Sequence, residues 1–388
     1  MESKKKTVYY VCFYAEPEFA DDITSYPSAW SKIDYVSDTL KRNGYNVCYV
    51  CPVIPNKGNF RRKTVQKDDH EKHIYFSAFS NKKSNLLGKL NNFWQMFQLL
   101  MYLLINKKLN DRILIYHSMY HIFWATALKK IFRKKYFLEI EDVYSALSPD
   151  GNAYEKKEWD FFETADGYLC VNTLIRDKIH NSAPKIISHG RYAVSNLIEN
   201  RITSKCRLVY AGVIEQERKG AFLAVETMKY LPENYELVIL GFGNEKNICS
   251  LKEMIKNIND QKGWCCIKYL GYMAGEEYLR ELQKCSIALS THMYDDTNMK
   301  SADYTFPSKL LVYMGNGLHI VAQDLKCLRT SEISDYITYY DRPVPQLVAK
   351  AIMSVDMKKE YNSRNRISEL DKCFTKDILK LFNDYGEK

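Results

Sequence analysis

Hydrophobic positions along this chain follow two patterns: short continuous apolar runs, and longer stretches with apolar residues every three or four positions. In the first half the runs Val8–Tyr14, Asn46–Cys51, Ile74–Ser77, Ile113–Tyr116, Tyr136–Ile140, Gly167–Val171 and Lys185–Ser188 predict strands. Helical patterns at Ser28–Arg42, Leu86–Ile105 and Tyr154–Thr164 lie between them. In the second half the predicted strands are Leu208–Ala211, Glu236–Leu240, Ile267–Leu270, Ile287–Ser290, Leu318–Ala322 and Tyr336–Tyr340. Helices near Ala221–Tyr230, Glu245–Ile258, Glu276–Lys284 and Lys309–Met314 separate them. Strand–helix alternation repeated twice predicts an α/β protein with two parallel sheets, each covered by helices on both faces.

Length agrees with two domains, since 388 residues exceed one ordinary core. The polar stretch 191–205 is the expected linker between a domain at 1–190 and one at 206–345. The tail, 346–388, carries a helix near Ser368–Tyr385 with no strand after it, and is expected to pack back on the first domain. The chain opens on the charged Met1–Lys6 and then a short strand-like run, which reads as no signal peptide. Its eleven cysteines lie mostly in apolar runs. Cys48 and Cys51 point to opposite faces of one predicted strand, so buried free thiols in a reducing, cytoplasmic setting are expected rather than a metal or disulfide.

Charge is uneven. The net charge is +9, yet between Cys51 and Lys135 there are 17 Lys and Arg against 4 Asp and Glu, leaving the rest slightly acidic. Inside this basic segment, 51–135, lies the apolar run Phe93–Ile105, too short to span a bilayer, which needs about 20 residues. One reading is a helix buried in its domain with solvated basic ends. A second is a surface resting on anionic lipid at the inner face of a membrane. Nucleic acid is the poorest fit, because no helix-turn-helix, zinc or RNP-like pattern accompanies the charge.

Candidate chemistry clusters where strands of the second half end. Ala211–Gly220 places Arg218 and Lys219 before a helix that begins at Gly220. Cations beside free helix N–H groups suit a diphosphate. Gly241-Phe242-Gly243 allows close backbone approach and offers Phe242 to a base, and Thr291–Asn298 is long and polar enough to reach a sugar. Phe306-Pro-Ser-Lys-Leu-Leu-Val-Tyr-Met314 reads as a helix with proline at its first turn, its N–H groups aimed at whatever sits at the strand ends. In the first half His117 closes a strand, and Glu139 and Glu141 share one face of the next. His117 and His121 form an HxxxH, but no carboxylate follows the first histidine, and zinc is disfavoured.

In order and spacing these pieces resemble the donor half of a GT-B retaining glycosyltransferase, of the large group called family 4. The likeness rests on Tyr210-Ala-Gly, Arg218-Lys-Gly220, Glu236–Gly243, Gly271–Ser290 and Phe306-Pro-Ser-Lys-Leu-Leu-x-Tyr-Met. It is specific over Leu208–Ala322. Upstream, Ile115–Ser118, Leu138–Ser145 and Ile186–Gly190 are similar to pieces of polysaccharide-assembly members. The resemblance implies two Rossmann-like domains facing across a cleft. It also implies transfer of a sugar, with retention, from a nucleotide diphosphate sugar to a hydroxyl of a glycan or lipid-linked acceptor in cell-surface polysaccharide synthesis.

No metal or other cofactor is implied. Lys219 and Arg218 would neutralise the leaving diphosphate, and the backbone N–H groups of Ser308, Lys309 and Leu310 would cradle it. Gly241, Phe242 and Gly243 would meet the nucleotide, and Asp303 and Asn298 the donor sugar. His117 would lie near the reacting centre, where a packed core histidine is the alternative, and Glu139 or Glu141 would meet the acceptor. Two departures matter. The family's paired glutamates, eight residues apart, fall here at Tyr304 and Val312, and its arginine after the first strand falls at Val213. The second glutamate holds the nucleotide ribose, so its loss keeps open a catalytically silent subunit that binds glycan or stabilises a partner transferase. A sugar-nucleotide epimerase fits less well.

Overall fold

The computed structural model describes residues 6–24, 27–80, 86–147, 153–196, 205–215, 220–292, 294 and 299–383. They fall into two compact units, 1–191 with 373–388, and 192–372.

In the first unit eight strands form one sheet: β1 (Thr7–Val11), β2 (Asn46–Cys51), β3 (Lys63–Asp68), β4 (Glu71–Tyr75), β5 (Arg112–Tyr116), β6 (Phe137–Ile140), β7 (Tyr168–Cys170) and β8 (Lys185–Ile187). Their spatial order is β3-β4-β2-β1-β5-β6-β7-β8. All neighbours are parallel except β3, which pairs antiparallel with β4 at the edge. Central strands such as Val8–Val11 and Ile113–Ile115 are wholly buried, which is why they read as unbroken apolar runs. β3, Lys-Thr-Val-Gln-Lys-Asp, is exposed along most of its length and lacks that signature. The chain's last helix, Ser363–Asn383, ends on this unit. There Phe382 packs 4.6 Å from Phe137 and Phe374 lies 5.2 Å from Tyr35. Arg112 Nε donates to the Phe382 carbonyl (2.9 Å), satisfying a backbone acceptor near the helix end.

The helix Leu86–Asn106 departs from the buried-helix reading. Its inward residues include Asn91 and Gln95, while much of its apolar surface faces outward. No helix among the described residues is long and apolar enough to cross a membrane.

The second unit is a six-stranded, fully parallel sheet in the order β11-β10-β9-β12-β13-β14. Its strands are β9 (Cys206–Ile214), β10 (Tyr235–Gly243), β11 (Ile267–Gly271), β12 (Ile287–Ser290), β13 (His319–Gln323) and β14 (Ile337–Tyr340). Helices begin and end where local chemistry dictates. Asn244 accepts from the Asn247 N–H (2.8 Å) at the start of helix Glu245–Lys262, and Gly263, at φ 73°, closes it in the left-handed conformation. The first part of the expected linker is docked on this unit. Ser195 N–H donates to the Gly315 carbonyl (3.2 Å), Gln283 joins Ser195 and Asn316, and a Cβ on Gly315 would meet the Ala193 carbonyl at 2.1 Å. Residues 346–372 belong to this unit as well, and only 373–388 to the first. All eleven cysteines are free, seven of them buried. Burial pushes the Cys48 thiol up to about 11 and Cys170 to about 12.

Candidate active site

Each sheet has one place where successive crossovers diverge, leaving a crevice at the carboxyl ends of two strands. In the second unit that place lies between β9 and β12, and a cavity of about 210 Å³ opens there. Tyr210 and Ala211 of β9, Ser290 of β12, and His292, Lys309 and Tyr313 line it. Tyr313 is buried in the middle of helix Lys309–Gly315, and its hydroxyl lies 3.3 Å from both the N–H and the carbonyl of Ala211. Lys309 Nζ donates to the same carbonyl at 3.1 Å. This helix therefore stands over the end of β9, with its ammonium group in the cavity wall. On the opposite side His292 Nδ1 lies 3.2 Å from Ser290 Oγ, and its ring stacks 5.7 Å from Tyr294. Among the described residues the result is a pocket with a lysine ammonium group, several hydroxyl groups and aromatic walls.

Ser308 and Lys309, named from sequence, reach this cavity, but the backbone cradle differs from expectation. Ser308 N–H is turned to the Phe306 carbonyl (2.8 Å) and Leu310 N–H to the Pro307 carbonyl (3.0 Å), so two of the three donors serve the tight first turn itself. Leu310 is fully buried. Gly241 and Gly243 also have another explanation. They pair with Gly212 and Ile214, and a Cβ would stand 1.8 Å from the Gly212 carbonyl at Gly241 and 2.2 Å from the Ile214 carbonyl at Gly243. Close approach of two strands, not of a ligand, requires these glycines. Neither they nor Phe242 lines the cavity; Phe242 is exposed, edge-on to Tyr272 at 5.6 Å. Asp303 lies just past the short helix Met299–Ala302, outside the lining, with burial raising its carboxyl. Arg218, Lys219 and Asn298 lie outside the described residues.

In the first unit the crossovers diverge between β1 and β5, and a cavity of about 360 Å³ lies there too. Phe13, Tyr116, His117, Ser118, Asp142 and Tyr144 line it. His117 is buried, with Nε2 2.7 Å from Glu158 Oε1. Glu158 also accepts from the Tyr144 and Ser145 N–H groups at 2.9 and 2.8 Å. Burial alone would raise this carboxyl, but hydrogen bonds from His117 and Ser145 outweigh it and hold it low. Burial pushes His117 down despite the carboxylate. Nε2, the ring nitrogen that faces the Glu158 carboxylate, carries a proton in that hydrogen bond. His121 is no metal partner for it: His121 Nδ1 accepts from Trp124 Nε1 at 3.0 Å, and burial lowers the ring to about 3. Among the described residues no group of three or more His, Cys, Asp or Glu is placed to hold a metal.

Glu139 and Glu141 do converge, but on Lys32 rather than on open space. Glu139 is wholly buried, hydrogen-bonded by the Tyr10 hydroxyl and 3.8 Å from Lys32 Nζ. Lys32 also donates to Glu141 and to the Ser188 carbonyl. The carboxylate that lines the cavity is Asp142, one position further on. Glu141 is pushed up to about 7 by burial, with Lys32 pulling it down and Glu139 repelling its charge. A carboxyl raised above its unfolded value keeps its proton longer in the folded chain. Its stabilising contribution is therefore full below the ordinary carboxylate range and is lost as pH rises through about 7. Urea midpoints measured between about pH 5 and about pH 8 should show wild type losing ground to Glu141→Gln as pH rises; a constant gap would contradict this.

Tyr210, His292 and Tyr313, like Asp142, Tyr144 and Glu158, were not singled out from sequence. Tyr210, Tyr313, His292, Asp142 and Tyr144 nevertheless fall within the stretches quoted there, and Glu158 in a predicted helix. Strand order, which brings β9 beside β12 and β1 beside β5, is what selects them.

Comparison with known proteins agrees with this architecture. No family model matches the chain, and no curated protein sequence does. Solved structures do. A sucrose-phosphate synthase from Thermosynechococcus elongatus superposes with a TM-score of 0.66 at 12% identity, covering 98% of this chain and 99% of that one. An E. coli trehalose-6-phosphate structure bound with UDP-2-fluoro glucose gives 0.63 at 10%, covering 98% of each. Anabaena HepE in complex with UDP gives 0.59 at 11%, covering 98% and 100%. The chain has the GT-B fold of glycosyltransferases. At these identities the likeness is one of fold.

Proposed function

We propose that this protein is a retaining glycosyltransferase that moves a sugar from a nucleotide diphosphate sugar to a hydroxyl of a glycan or lipid-linked acceptor, in the assembly of a cell-surface polysaccharide. The observation that carries this reading is the second-unit cavity, where Lys309 and the polar groups around it meet at the point of crossover divergence. A nucleotide there would place its diphosphate beside Lys309, with Lys219 and Arg218 assigned to the same phosphates on the family resemblance alone. Negative charge grows on the leaving diphosphate in the transition state, so these cations would bind it more tightly there than in the ground state. On this reading no metal is needed at the diphosphate. The first-unit cavity, with His117 and Asp142 in its wall, is the place assigned to the acceptor side of the reaction.

A silent subunit is the second reading, and Val312 favours it. The side chain at that position cannot hold a ribose hydroxyl, and the glycines at 241 and 243 answer to strand packing. Transfer of radiolabelled sugar to a hydroxyl acceptor by the purified protein alone would exclude the silent reading. Nucleotide binding without turnover over a broad acceptor panel would support it instead.

A further inference from the structure

The helix Leu86–Asn106 buries little of its apolar surface. Its inward face carries Leu99 and Leu103 but also Asn91 and Gln95, 3% and 1% exposed, and each amide is spent on backbone. Gln95 donates to the Val53 carbonyl and accepts from the Val53 N–H, both at 2.7 Å, while Asn91 accepts from the Phe79 N–H at 2.8 Å. Gln98, partly buried, does the same for Ser77, accepting from its hydroxyl at 2.8 Å and donating to its carbonyl at 2.9 Å. The amides thus satisfy groups that the sheet leaves unpaired. What remains for the outward face is apolar: Leu86, Leu90, Phe93, Phe97, Met101 and Ile105 follow one another at three- or four-residue spacing. Phe93 is 61% and Ile105 74% exposed. Trp94 stacks on Phe97 at 6.0 Å within this stripe. The adjoining helix, Ile122–Lys130, adds exposed Phe123, and the turn after it exposed Ile131 and Phe132.

An exposed apolar stripe that runs the length of a helix marks a partner. The charge around it says which. From Leu86 to Lys135 there are nine Lys and Arg and one acid, Asp111. Asp111 is buried and occupied by the N–H groups of Thr7 and Lys108. Lys89, Lys108, Lys130, Arg133 and Lys135 are exposed. A second copy of the chain would bring like charge against like. A nucleic acid would use the cations and leave the apolar stripe in water. We infer that this face is a docking surface for an anionic lipid bilayer, with the stripe entering the acyl boundary and the cations at the headgroups.

The test uses the full chain without any nucleotide sugar, so it stands apart from the transfer reaction. Flotation is measured with vesicles of phosphatidylcholine alone and of phosphatidylcholine with an equal part of phosphatidylglycerol. Wild type is expected to float with the mixed vesicles at low salt and to be released by high salt. Replacing Lys108, Lys130 and Arg133 by glutamine should weaken partitioning roughly a hundredfold, equivalent to about 1 kcal/mol for each cation. The double variant Phe93→Ser/Phe97→Ser should weaken it about tenfold or more. Both variants should keep the wild-type melting profile, because the altered side chains are exposed. Brominated lipid should quench wild-type tryptophan emission, and Trp94→Phe should lose that quenching. Absence of flotation with anionic vesicles at low salt would overturn the inference. So would undiminished binding of the phenylalanine variant, or a wild-type dimer that this variant converts to monomer.

Discussion

Lys309→Ala is expected to reduce kcat of the proposed transfer by roughly 10²–10³, a loss of about 2.7–4 kcal/mol of transition-state stabilisation. Lys309 provides the ammonium group in the described wall of the second-unit cavity, and it is held there by the Ala211 carbonyl at 3.1 Å. A cation placed in advance costs no reorganisation when the diphosphate leaves, so its removal should fall on kcat more than on KM. Stability should hardly change, because the side chain is exposed. Single-turnover rates together with melting curves separate the two effects. Unchanged turnover in a folded variant would remove Lys309 from the mechanism. Lys219→Ala is expected to lose a similar amount, on the family resemblance.

The second large effect is on folding. Lys32→Met should destabilise the protein by about 3–5 kcal/mol, because it leaves the buried Glu139 and the mostly buried Glu141 side by side without their shared counter-charge. The cost should be greater near pH 8 than near pH 5, since both carboxyls are raised by burial and escape the penalty by taking up a proton. Adding Glu139→Gln and Glu141→Gln to Lys32→Met should recover much of the loss, as removal of a whole buried ion cluster is often close to neutral. Urea titrations of the three proteins at both pH values test this. A Lys32→Met protein as stable as wild type near pH 8 would show that the cluster does not hold these elements together.

What could be read from sequence divides along a physical line. Strands buried on both faces, such as Val8–Val11 and Ile287–Ser290, announce themselves as apolar runs, and their alternation with helices leads to two parallel α/β sheets, while the GT-B expectation rests on the motif resemblance. β3 was not legible. Its residues are polar because it is an exposed edge, and only its pairing with β4 makes it a strand. The orientation of helix Leu86–Asn106 was not legible either. Its apolar spacing suggests burial, but Asn91, Gln95 and Gln98 answer to backbone groups of residues 79, 53 and 77, outside the helix. Gly241 and Gly243 show the same limit. A Gly-x-Gly after a strand suggests a ligand, yet the register of β10 against β9 gives the reason for both. At the site, Lys309 could be found from the motif around it. Tyr210, His292 and Tyr313 needed the knowledge that β9 and β12 are neighbours.

The central claim is that the second-unit cavity binds a nucleotide diphosphate sugar through Lys309. Its most direct test is thermal unfolding of wild type and Lys309→Ala against a panel of nucleotide diphosphate sugars and the corresponding nucleoside diphosphates. Wild type should gain about 2.7 kcal/mol from its donor at 100 times Kd, and Lys309→Ala should lose most of that gain at the same concentration. No stabilisation of wild type by any member of the panel, or equal stabilisation of both proteins, would contradict the account.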